Sequence, residues 1–120
     1  MNQNWTDVCD LHEIVPDTGV CALVRGEQVA LFRPAGDDQV YALGNYDPIG
    51  GANVLARGLI AQVGARLTVA SPLYKQHFCL HSGQCLERDD VAVPVYPVRL
   101  SNGRLAVGPA RRAERRDDAA

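Results

Sequence analysis

The stretch "ASPLYKQHFCLHSGQCLE", residues 70 to 87, decides how this chain is read. It opens as a loop, Ser71-Pro72-Leu73-Tyr74, and continues as a short alternating run. A Ser82-Gly83 turn follows. On a strand, His77, Cys79 and His81 share one face, while Phe78 and Leu80 point the other way. Phe78 and Leu80 are the natural core residues. A two-residue turn at Ser82-Gly83, or a four-residue loop around it, pairs Leu80 with Cys85. Either places Cys85 on the Phe78 face, away from the two histidines.

Working outward, the chain is a series of short β-type runs punctuated by turn residues. "VCALVR" (20–25) and "QVALFR" (28–33) flank Gly26-Glu27, which reads as a two-residue hairpin turn with Gly26 supplying a positive φ. "QVYALGN" (39–45), "RLTVAS" (66–71), "QHFCL" (76–80), "QCLE" (84–87), "VPVYPVRL" (93–100) and "RLAVG" (104–108) complete the set. Ser101-Asn102-Gly103 is a strong hairpin signal between the last two. Many short strands at regular spacing predict an all-β fold, an antiparallel sandwich or barrel. "CDLHEIVP" (9–16) holds at most one helical turn, ended by Pro16. "NVLARGLIAQ" (53–62) has mixed periodicity and an internal Gly58, so it reads as a loop with extended pieces.

A chain of 120 residues fits one domain. We expect a β domain over residues 1–108 and a charged, disordered tail over 109–120, because "ARRAERRDDAA" (110–120) contains no large apolar residue. A net charge of −2 gives no reason to invoke nucleic acid or an anionic membrane. No apolar run approaches the roughly 20 residues that span a bilayer. The stretch "MNQNWTDVCDLHEI" lacks the basic and apolar regions of a signal peptide, so a cytoplasmic location is expected. There Cys9, Cys21, Cys79 and Cys85 are expected to be thiols or ligands rather than disulfides, and no C-x-x-C pair is present.

Two loops between strands, "GNYDPIGGA" (44–52) and "SPLYKQHF" (71–78), are rich in Pro and Gly. With Pro72, Phe78 and Gly83, the second resembles the Rieske pattern C-P-x-H-G-x-x-F-x-x-x-x-G. Rieske proteins hold a [2Fe–2S] cluster with two Cys and two His. On that pattern Ser71 stands at the Cys position, Tyr74 at the His position and Lys75 at the following Gly. In the first loop Asn45 and Asp47 stand at the Cys-x-His positions. A hydroxyl, a phenol, an amide and a carboxylate do not make a [2Fe–2S] site.

Together, "NYDPIGGANVLARGLI", "ASPLYKQHFCLHSGQCLE" and "VPVYPVRLSNGRLAV" resemble the small subunits of assimilatory NAD(P)H-dependent nitrite reductases, over roughly residues 5 to 108. That resemblance implies a Rieske-like iron–sulfur-protein fold whose two-loop tip lacks its cluster ligands. It implies no cofactor and no catalytic residue on this chain. It implies a partner, the large subunit, which carries siroheme, [4Fe–4S] and FAD and reduces nitrite to ammonia in nitrate assimilation. Lys75, Tyr74, Asp47 and His77 are then candidates for a docking loop. Asp47 and Lys75 are expected to face each other at the loop tips.

Rival readings remain open at this level. His77, Cys79, His81 and Cys85 are chemically suitable metal ligands, although successive same-face positions on a strand lie about 7 Å apart and Cys85 faces the other way. A Cys79 nucleophile with His77 or His81 lacks a third, orienting group. A Rieske-type ferredoxin predicts bound iron and sulfide. A generic β-scaffold binding module shares every coarse feature with the accessory subunit, and fold alone does not separate them.

Overall fold

The apolar run Val29-Ala30-Leu31-Phe32 has no polar alternation, and it becomes the centre of the molecule. All four side chains are fully buried, with Ala30 and Phe32 in one core and Val29 and Leu31 in a second. A strand covered on both faces needs apolar residues at every position. The computed structural model describes residues 4–36 and 39–111.

Among these, the strands in chain order are β1 (Thr6–Asp10), β2 (Thr18–Val24), β3 (Glu27–Arg33), β4 (Tyr41–Gly44), β5 (Tyr46–Asp47) and β6 (Ala52–Asn53). They continue as β7 (Leu59–Val63), β8 (Arg66–Ala70), β9 (His77–Cys79), β10 (Val95–Tyr96), β11 (Val98–Ser101) and β12 (Arg104–Val107). Single 3-10 turns lie at Leu11–Glu13 and Leu55–Arg57, and no α-helix occurs among the described residues. The fold is all-β, as expected.

The central sheet has the order β10-β4-β3-β2. On one side the β7-β8-β9 sheet supplies Val69 and Phe78 to a core with Ala30, Phe32, Leu43, Leu55, Leu80 and Cys85. On the other, the β1-β12-β11 sheet supplies Leu105 and Val107 to a core with Ile14, Val24, Val29, Leu31 and Tyr96. The strand predicted over 93–100 divides at Pro97. Its first part pairs with β4 and its second with β12, so the chain changes sheets where proline removes a ladder donor. β5 and β6 form a separate two-stranded ribbon.

Some readings need correction. The first hairpin turns at Arg25-Gly26, one residue earlier than predicted, because Val24 pairs with Glu27. Both turn residues have positive φ, 51° and 84°, as a type I′ turn requires. Asn102-Gly103 makes the same kind of turn, as read, at φ 52° and 79°. Cys85 bridges Phe78 rather than Leu80, because the intervening loop covers residues 80–83. That two-residue slip preserves the face, and Cys85 joins Phe78 in the core. The segment 53–62, read as a loop with extended pieces, holds the 3-10 turn Leu55–Arg57 and most of β7 (Leu59–Val63), which pairs residue for residue with β8.

The "QCLE" run contributes isolated bridges rather than a strand. Of the tail expected over 109–120, residues 112–120 lie outside the described residues. Arg111 bridges Val95 through backbone bonds of 2.7 and 3.1 Å.

Candidate functional site

The two Pro/Gly-rich loops meet. The first is the β5–β6 ribbon, in which Asp47 pairs with Ala52. Asp47 is fully buried. Its Oδ1 accepts the backbone N–H groups of Ile49 at 2.8 Å and Gly50 at 3.1 Å, and its carbonyl accepts that of Gly51 at 2.7 Å. The carboxylate therefore closes its own turn, which satisfies the short Asp-Pro loop locally.

The second loop joins β8 to β9. Ser71 is buried, and its Oγ donates to Asp47 Oδ2 at 2.5 Å. The same Oγ accepts the Leu73 N–H at 3.3 Å, and the Ser71 carbonyl accepts the Lys75 N–H at 3.0 Å. Gly50 lies so close to Leu73 that a Cβ there would sit 2.4 Å from Leu73 Cδ1. The loops are clasped by one charge-assisted hydrogen bond and packed directly on each other.

Asn45 is also buried, but it serves a different joint. Its Oδ1 accepts the Ala56 N–H at 2.7 Å, and its Nδ2 donates to Gln28 Oε1 at 3.0 Å. It thereby ties the Leu55–Arg57 turn to the start of β3. Tyr74 stands apart from the other three, with 65% of its surface exposed.

These residues do not fit a [2Fe–2S] cluster. The four positions offer no thiolate or imidazole, and three of the four are already committed to hydrogen bonds inside the fold. The pairing expected between Asp47 and Lys75 is not formed: Asp47 is buried beneath the tip, bonded to Ser71 and to its own turn. Tyr74 and Lys75 are left on the surface.

Residues 4–108 match the family model described as a Rieske-like [2Fe-2S] domain. The nitrite reductase (NADH) small subunit of Escherichia coli K12 is 50% identical over 99 residues, spanning 82% of this chain and 92% of that protein. This chain belongs to the Rieske-like small-subunit family of nitrite reductases. The solution structure of the nitrite reductase [NAD(P)H] small subunit from Erwinia carotovora superposes at a TM-score of 0.77, with 49% identity over 91% of this chain and 84% of that one. A nitrite reductase [NAD(P)H] large subunit from Klebsiella oxytoca is 43% identical over 104 residues, spanning 87% of this chain but only 11% of that protein. There, a domain of the small-subunit family lies within a large-subunit polypeptide.

In this small-subunit domain the rival metal residues are dispersed. His77 Nδ1 meets Glu87 Oε2 at 2.7 Å, and its backbone N–H donates to Glu87 Oε1 at 2.8 Å. Burial pushes the Glu87 carboxyl up, but these bonds to His77 outweigh it and hold the group below its usual range. Cys79 is buried. Burial alone would raise its thiol, yet hydrogen bonds from Ser82 and from the His81 backbone, with Arg66 nearby, bring it below the ordinary value. Cys85 lies in the core, where burial raises its thiol. His81 is exposed against Tyr41, ring centroids 6.1 Å apart.

Among the described residues no three His, Cys, Asp or Glu side chains converge on a metal position. Sequence reasoning did not find Gln28, the partner of Asn45, or Glu87, the partner of His77. Each partnership depends on a sheet register that local pattern does not reveal.

Proposed function

We propose that this chain is the cluster-free accessory subunit of an NAD(P)H-dependent nitrite reductase in the cytoplasm, acting by binding the large subunit rather than by chemistry of its own. The Klebsiella oxytoca relative carries the reading, because nature has placed this domain on the same chain as a large subunit. The resemblance assigns siroheme, [4Fe–4S] and FAD to that partner, where nitrite would be reduced to ammonia. The tip geometry supports a non-redox role, since its buried polar groups hold one another instead of a metal.

Coexpression with the cognate large subunit tests the proposal. The chain should copurify stoichiometrically, contain no iron when isolated alone under anaerobic conditions, and raise NADH-dependent nitrite reduction when added to the large subunit. Absence of a complex, together with unchanged nitrite reduction, would overturn it. A red-brown isolated chain with iron and sulfide would favour the ferredoxin reading instead.

A further inference from the structure

We propose that the two-loop tip, presenting Tyr46, Leu73, Tyr74 and Lys75, is the surface on which the large subunit docks. This inference rests on the accessory-subunit reading and locates its interface. Tyr46, Leu73 and Tyr74 are 51%, 43% and 65% exposed, so the tip gathers two tyrosines and a leucine in water. Exposed aromatic and apolar side chains held on a rigid base are the usual anchors of protein interfaces. The base here is rigid because Asp47 and Ser71 clasp the two loops from beneath and Gly50 packs on Leu73.

Lys75 is a second, independent observation. It adopts φ 63°, a left-handed conformation that favours glycine and that a long β-carbon-bearing side chain reaches at some cost. Its side chain is exposed and forms no ion pair or hydrogen bond among the described residues. The fold therefore gains nothing from a lysine at this turn. Strain carried by an exposed, unpartnered cation points to a role outside the folded chain.

The occupant is the large subunit rather than a second copy, because in the Klebsiella oxytoca relative a domain of this family lies within a large-subunit chain. The geometry permits that linkage. Both ends of the family-matched segment belong to the β1-β12-β11 sheet. That sheet lies across the central sheet from β8 and β9, which carry the second loop. The ends of the matched segment and the second tip loop therefore belong to different sheets.

The test measures binding of the full chain to the purified large subunit. Leu73→Ser/Tyr74→Ser should weaken binding by about tenfold or more, as truncation of central anchors does. Lys75→Gly should also weaken binding while melting at or above the wild-type temperature, which separates docking from folding. Leu100→Ser, an exposed position on β11, should bind as wild type. Tip variants that fold and bind like wild type would overturn the inference while leaving the accessory-subunit reading intact. A wild-type chain that fails to bind would overturn both. An isolated chain that dimerises through the tip, with Tyr74→Ser restoring the monomer, would overturn it in favour of a second copy.

Discussion

Ser71 and Asp47 form the only side-chain bond between the tip loops among the described residues, and it is a costly bond to break. Asp47 is fully buried and already accepts two backbone N–H groups through Oδ1. Removing the Ser71 hydroxyl leaves Oδ2 without a partner in a site closed to water. An unsatisfied buried charged group costs roughly 2–3 kcal/mol. Ser71→Ala should therefore lower the urea midpoint correspondingly, and a double-mutant cycle with Asp47→Ala should return most of that energy as coupling. A cycle showing additivity would mean that the two loops are held by packing alone. On the Rieske pattern read from the sequence, Ser71 takes a Cys position and Asp47 a His position; here the two side chains join the loops by a hydrogen bond.

At the scale of elements, the segment after β9 is held by His77 and Glu87. Glu87 sits below its ordinary value of 4.5 because bonds to His77 outweigh its partial burial. A carboxylate lowered in the folded state contributes stability above its unfolded pKa and loses it as pH falls through the folded value. The native chain should accordingly lose stability more steeply than Glu87→Gln on acidification below about pH 4.5, a difference read from urea midpoints across that range. Parallel acid limbs for the two proteins would remove Glu87 from the account.

The hairpins show how much of this scale is legible in sequence. Asn102-Gly103 names its own turn, whereas Gly26 fits a two-residue turn with either neighbour. Only the pairing of Val24 with Glu27 chooses Arg25. β7 could not be read as a strand because Leu59 is 74% exposed and Gly58 interrupts the pattern; its partner β8 defines it. Pro72, Phe78 and Gly83 made the Rieske-like fold legible, and the family match shows that fold. The burial of Asp47 was not legible, because an aspartate before proline reads as a surface turn until Ser71 is brought opposite it.

At the scale of the whole molecule, three layered sheets put the strands that begin and end the family-matched segment, β1 and β12, on a different sheet from β8 and β9, which carry the second tip loop. This arrangement lets the domain work either as a separate subunit or as part of a larger chain. A flexible tether raises the effective concentration of a domain at its partner to about the millimolar range. A tip variant weakened only in affinity should then be rescued by covalent linkage. The decisive protein joins Leu73→Ser/Tyr74→Ser to the large subunit through a Gly/Ser linker at residue 4, where the described chain begins beside β1. As separate chains, this pair should support nitrite reduction poorly at micromolar concentration; as a fusion it should approach the wild-type fusion. Continued loss of activity in a fusion that folds would show that the tip residues do more than hold the subunits together. The docking account would then have to yield to one in which the tip reshapes its partner.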